Sequence, residues 1–185
     1  MPSPPPVPRK SADTKQRIII VAQDVFSTKG YSHAGLREIA KIAEVAPSLV
    51  IKYYGTKPRL FEEALRSAIL PLEEFQRDRA TIGEAIVAAV LDPGSRMLAP
   101  TMIALGSGNP EAREIVARVM VEHIVSPMAQ WLGHRDAMAA ALNILAMTTG
   151  FAVLHRSLRP ELSRDELATS ARQFARSVQL LVDAA

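Results

Sequence analysis

Two short helical stretches set three residues apart constrain this chain more than any other feature of it. Gly35-Leu36-Arg37-Glu38-Ile39-Ala40-Lys41-Ile42-Ala43 runs into Glu44-Val45-Ala46, and Pro47 to Tyr54 follows. A pair of two-turn helices with a three-residue joint fits a helix-turn-helix. Ala40 is small where the second helix must cross close to the first, and Ile39, Val45 and Val50 can form the apolar wedge that fixes the crossing. The second helix of such a unit can lie in a DNA major groove with its N-terminal half facing base edges. On pattern alone, a plain helical hairpin fits as well.

The rest of the chain is punctuated as helices, with little strand signal. A first helix is expected from about Asp13 to Lys29, with Ile18, Ile19, Ala22, Val25 and Phe26 on one face and Gly30 as its stop. Thr56 reads as the N-cap of a helix carrying Leu60, Phe61, Ala64, Leu65 and Ala68, with a kink or break at Pro71. Thr81 with Glu84 reads as a capping box opening a helix to Leu91. A short helix is expected after Asp92-Pro93 and Ser95, limited by Pro100 and by Gly106-Ser107-Gly108. Asn109-Pro110-Glu111 opens a long helix to about Trp131, kinked at Pro127. Another long helix covers residues 135–158, and Ser163 with Glu166 caps the last. The expected fold is all-α with about nine helices. Residues 1–10 form a disordered proline-rich arm, 11–55 a helix-turn-helix domain, and 56–185 a larger helical body.

Charge is unevenly distributed. Residues 1–60 carry a net +6 and the remainder −3, which points to a polyanion partner at one end. Cysteine is absent, excluding disulfides and thiolate chemistry and suiting a reducing cytoplasm. No targeting signal is visible, and the uncharged run 137–154 is interrupted by Asn143, Thr148, Thr149 and Gly150. A soluble, cytoplasmic protein without a membrane partner is the expectation.

The ordered series Ile18-Ile19, Ala22, Phe26, Gly30-Tyr31, Leu36-Arg37-Glu38-Ile39-Ala40, Val45, Tyr53-Tyr54-Gly55-Thr56-Lys57 and Leu60-Phe61 resembles the N-terminal domain of TetR-family transcriptional regulators. The resemblance implies a three-helix DNA-binding head, a ligand-binding helical body and a homodimer on a palindromic operator. It places Pro47, Ser48, Ile51 and Lys52 toward bases, Tyr53 and Lys57 on phosphates, and Arg37 as a further phosphate candidate. Arg9 and Lys10 would extend along the backbone or into a minor groove, or remain a solvated tail. Three positions depart from the family pattern. Glu44 stands where glycine is usual in the turn, Ala46 where a hydroxyl usually caps the recognition helix, and Ile51 where tyrosine is frequent. Glu44 therefore faces a left-handed conformation and Ala46 forgoes a cap, while Ile51 can meet a thymine methyl.

In the body every methionine after the first falls between residues 97 and 147. Flexible, polarizable side chains suit a chamber for a small apolar or amphipathic effector, or ordinary core filling. With the resemblance, Met97, Met102, Met120, His123 and Phe151 become the candidate ligand contacts, although His123 by itself reads as a core histidine. The last two helices correspond to those that pair between subunits in the family. Ala139, Ala140, Leu142, Ala146 and Gly150 would allow close approach, with Phe151, Leu154, Phe174, Val178 and Leu181 as the matching stripe.

Catalysis finds no support in the sequence. His33, His123, His134 and His155 are scattered, and none has a glutamate three residues before it. There is no H-E-x-x-H, no phosphate-binding glycine loop and no G-x-S-x-G. Glu62-Glu63 and Glu73-Glu74 read as solvated faces. No metal and no cofactor is expected. The expected function is a ligand-responsive DNA-binding repressor; the rival is a helical adaptor for protein partners that has lost DNA binding.

Overall fold

A computed structural model describes residues 9–71 and 78–184. Most of the proline-rich arm, and the Glu73-Glu74 pair, lie outside the described residues. Nine helices account for the fold among those described: α1 (Arg9–His33), α2 (Leu36–Ile42), α3 (Pro47–Tyr54), α4 (Lys57–Ala68), α5 (Ile82–Leu91), α6 (Ala99–Gly106), α7, α8 and α9 (Arg164–Asp183). The helix α7 joins Pro110–Met120 to Ser126–Leu132 through a π segment, Val121–Val125. Likewise α8 runs from Ala137–Ala152 into a π segment, Val153–Leu158.

Helix α1 begins earlier than its apolar pattern suggests, so Arg9 and Lys10 belong to its first turn. Gly30 interrupts it with φ 70°, a value open to glycine at no steric cost, and a last turn follows. The break turns Tyr31 back into the core, where it meets Phe26 and Phe61. Phe61 stands edge-on to both rings, with centroids 5.0 Å from Phe26 and 5.1 Å from Tyr31. Because α1 packs on both α4 and α6, one continuous apolar core runs from the first helices into the rest.

Several helix starts follow from local chemistry. Asn109 Oδ1 accepts from the Ala112 amide at 3.1 Å, and Ser163 with Glu166 forms a complete capping box. The predicted box of Thr81 and Glu84 is absent. Asp78 caps instead, accepting from the Ala80 amide at 3.0 Å, and the chain enters α5 through a 3-10 turn, Arg79–Thr81. Pro100 does not limit a helix but sits in the first turn of α6, where its missing N–H costs nothing. At Pro127 the expected kink is replaced by the π segment just before it. Ser126 donates to Val121, five residues back, and the widened turn absorbs the proline ring.

Two arginines bind distant parts of the body together. Arg79 donates to the carbonyls of Trp131, Leu132 and Val182, and its guanidinium lies 5.0 Å over the Trp131 ring. Arg156 donates to the carbonyls of Val90, Asp92 and Ser95 at the end of α5. Helix α5 then crosses α9 at Gly83, where an added Cβ would lie 2.2 Å from the Ala175 carbonyl oxygen. That neighbour is backbone, so the two helices would have to separate. Gly83→Ala should therefore cost about 2 kcal/mol despite alanine's better helix propensity, lowering the melting temperature by roughly 4–8 °C in a thermal scan.

Candidate nucleic-acid interface

The geometry of the helix-turn-helix begins with the exit from α2. Glu44 donates to the Lys41 carbonyl and Val45 to the Ala40 carbonyl, the paired bonds of a Schellman turn. This turn needs a left-handed residue, and Glu44 supplies it with φ 54°. Ile39, Ala40 and Ala43 are fully buried beneath it, and Val50 anchors α3 in the core. Ala46 starts α3 without a side-chain cap, and Pro47 occupies the first turn.

With Val50 inward, α3 turns its early residues out. Pro47, Ser48, Ile51 and Lys52 are all exposed, Ile51 to 55%. Arg37 is exposed on the neighbouring helix. The structure thus brings Arg37, Pro47, Ser48, Ile51 and Lys52 to one helical pair with their side chains free of the core.

Tyr53 and Lys57 stand differently. Tyr53 is half-buried, its hydroxyl 3.2 Å from Ser11 Oγ and its ring under Lys15 Nζ at 5.2 Å. Tyr54, beside it, donates to the Lys15 carbonyl at 2.9 Å. Burial, followed by the charge of Glu63 and the neighbouring Tyr53, pushes the Tyr54 hydroxyl up to about 12. The Lys57 ammonium points back into the molecule, 4.5 Å over the Tyr31 ring and 3.4 Å from the Ser32 carbonyl. Burial lowers its pKa, while the charge of Glu111 opposes the shift. Glu111 itself accepts a hydrogen bond from the Tyr31 hydroxyl. Asn109 Nδ2 donates to Ser32 Oγ at 3.2 Å, closing a polar joint between the turn after Gly30 and the start of α7. No motif in the sequence indicated this joint.

Of the candidate ligand contacts, Met97 and His123 line an apolar cavity of about 100 Å³ in the body. Met102 is fully buried elsewhere, Met120 packs against the core outside the cavity, and Phe151 stacks on Phe174 at 4.3 Å. His123 is no core histidine. It lies on the π segment of α7, 39% exposed, beside Glu122 at 4.0 Å. The walls the sequence did not suggest come from Ala68, Ile69 and Leu70 at the end of α4, and from Thr148 on α8. Among the described residues, no group of three His, Asp or Glu is placed to hold a metal ion.

Helix α8 is long and apolar enough by composition to cross a membrane, yet it packs on α6, α7 and α9. Its outward face is nonetheless apolar: Ala139, Leu142, Ala146, Gly150 and Leu154 recur at spacings of three and four and are exposed. Leu180 on α9 is 72% exposed. Ala140, expected to allow close approach, and Phe151, Phe174 and Val178, expected on the matching stripe, are buried within this chain.

Residues 18–64 match the family described as bacterial regulatory proteins, tetR family, and residues 80–182 match the tetracyclin repressor-like C-terminal domain. The chain is 34% identical over 104 residues to the HTH-type transcriptional regulator SrpR of Pseudomonas putida, covering 52% of this chain and 49% of that protein. To the HTH-type transcriptional regulator LuxR of Vibrio harveyi it is 31% identical over 64 residues, 35% of this chain and 31% of that protein. The chain thus spans half or less of the length of these curated relatives. The fold resembles that of NalD, the secondary repressor of the MexAB-OprM multidrug efflux pump in Pseudomonas aeruginosa, with a TM-score of 0.64 at 21% identity over 91% of this chain and 95% of that one. Where such turns favour glycine, Glu44→Gly removes a left-handed side chain and should raise stability by about 1 kcal/mol in chemical denaturation.

Proposed function

The chain belongs to the tetR family of bacterial regulatory proteins, and on that premise we propose that it is a dimeric repressor released from operator DNA by a small molecule. The observation that carries this reading is α3, anchored by buried Val50 while Pro47, Ser48, Ile51 and Lys52 face solvent together. A helix held from behind and bare in front can enter a major groove without disturbing its own core. Lys52 and Arg37 supply positive charge there, and Ile51 supplies an apolar contact for a thymine methyl. Tyr53 brings a hydroxyl to the flanking phosphate. Lys57 reaches a phosphate only by leaving Tyr31 and the Ser32 carbonyl, so its DNA contact competes with the joint to α7.

The apolar face of α8, with Leu180 of α9, is the surface on which a second copy would pack. Two recognition helices presented by a symmetric pair meet successive major grooves about 34–36 Å apart, so the operator would be a palindrome. A molecule that binds better to another spacing of the heads withdraws the protein from DNA by linkage. Such a regulator works in the bacterial cytoplasm, where its operator lies.

Selection of bound sequences from a random duplex pool tests the reading: a palindrome is expected, and loss of salt-dependent duplex binding would instead leave a helical adaptor. Lys52→Ala, which removes one lysine from each half of the dimer, should weaken operator binding at least tenfold and reduce the slope of log affinity against log salt by up to about 1.8, with the melting temperature unchanged. Light scattering of dilute protein should give a dimer, and Leu142→Glu on the α8 face should shift it to monomer.

A further inference from the structure

We propose that Glu111, at the start of α7, is a positioning residue for DNA binding: its carboxylate is an internal rival to the operator phosphate for the Lys57 ammonium, and it holds that lysine back. The inference rests on the repressor reading above, with Lys57 as a phosphate contact. It adds a residue of the body that limits how tightly DNA is held without having to touch it.

The restraint is assembled from both sides of one joint. Tyr31, Ser32 and Lys57 come from the first helices, and Asn109 and Glu111 from α7. The Lys57 ammonium lies 4.5 Å over the Tyr31 ring, and the hydroxyl of that same ring donates to a Glu111 carboxylate oxygen. A single ring thus carries the cation on its face and the anion at its rim. Asn109 serves both sides, accepting from the Ala112 amide through Oδ1 and donating to Ser32 Oγ through Nδ2. The turn that bears Tyr31 and the helix end that bears Glu111 are fixed together by it.

Charge decides what the joint does. Lys57 is the first residue of α4, where the unpaired amides of a helix start disfavour a cation, and burial disfavours the ammonium further. The Glu111 charge opposes that effect of burial. Of the Tyr31 ring, the Ser32 carbonyl and Glu111, only Glu111 brings a full negative charge to the lysine. An ammonium that moves out to a phosphate gives up that attraction, so the operator and Glu111 compete for one cation. Glu111 is exposed, which screens the attraction and keeps its effect to a few-fold in each subunit. Glutamine at this position keeps an oxygen for the Tyr31 hydroxyl, so Glu111→Gln removes the charge and leaves the joint closed.

The test measures duplex binding by the full chain over a range of salt, with a sequence selected from the random pool. Glu111→Gln should tighten binding about tenfold, roughly threefold for each half of the dimer, and steepen the slope of log affinity against log salt by up to about 1.8. In a Lys57→Gln background the same change should alter affinity by less than about twofold. Glu114→Gln, an exposed acid on the same helix, controls for the loss of negative charge alone and should leave binding unchanged. No gain from Glu111→Gln, an equal gain in both backgrounds, or an equal gain from Glu114→Gln would each overturn the proposal and leave the regulator standing. Absence of duplex binding by the unaltered protein would instead remove the regulator reading, and this inference with it.

Discussion

The edge-to-face packing of Phe61 against Phe26 and Tyr31 is the contact on which the rest of the molecule depends. Its three rings belong to two helices, α1 and α4, and to the turn created by Gly30. Gly106 closes the cluster from α6, with an added Cβ falling 3.3 Å from Phe61 and 2.9 Å from Val116 of α7. Four elements therefore fix one another's positions through a space too tight for a methyl group. Aromatic pairs of this geometry add to the gain from burial itself, and interiors packed this closely transmit displacement rather than absorb it. Burial, reinforced by the bond to Glu111, holds the Tyr31 hydroxyl well above the usual tyrosine range, so it stays a donor. Helices α1 and α4, on either side of the helix-turn-helix, are thereby referred to α7 and not merely tethered to it.

In the second half, long-range order comes from main-chain carbonyls gathered by arginine. Helix C-termini leave carbonyls without partners, and a guanidinium offers several donors in a plane. Arg79 collects such groups from α7 and α9, and Arg156 does the same for α5 and the turn behind it. This lets a body built from alanine-rich helices keep its ends satisfied with few polar residues inside. The crossing at Gly83 belongs to the same economy of space, since α5 and α9 meet there backbone to side-chain-free backbone.

How much of this the sequence disclosed follows a physical boundary. Thr56, Asn109 and Ser163 were legible as caps because an N-cap and the amide it serves lie three residues apart. The α2–α3 unit was legible for the same reason, including the left-handed strain at Glu44, which a three-residue joint imposes on whatever stands there. Thr81 misled because its pattern was satisfied on paper, while the chain's direction of approach gave the cap to Asp78. Met102 and Phe151 lie away from the cavity for another reason. Periodicity assigns a side chain to a helix face, but which neighbour covers that face is settled by packing across the chain. The targets of Arg79, up to 103 residues away, and the turning of Lys57 toward Tyr31 have no local signature at all.

Helix α4 begins at Lys57 beside the polar joint and ends at Ala68 on the wall of the apolar cavity. Its twelve residues make a lever about 18 Å long. A tilt of about 10° about its cavity end would carry the Lys57 end roughly 3 Å, close to the ~3.4 Å rise of a single base pair. In the dimer proposed above the two displacements would add. For that effector-released dimer, a molecule in the cavity that tilts α4 would then throw the heads out of step with the helical repeat of DNA by about two base pairs.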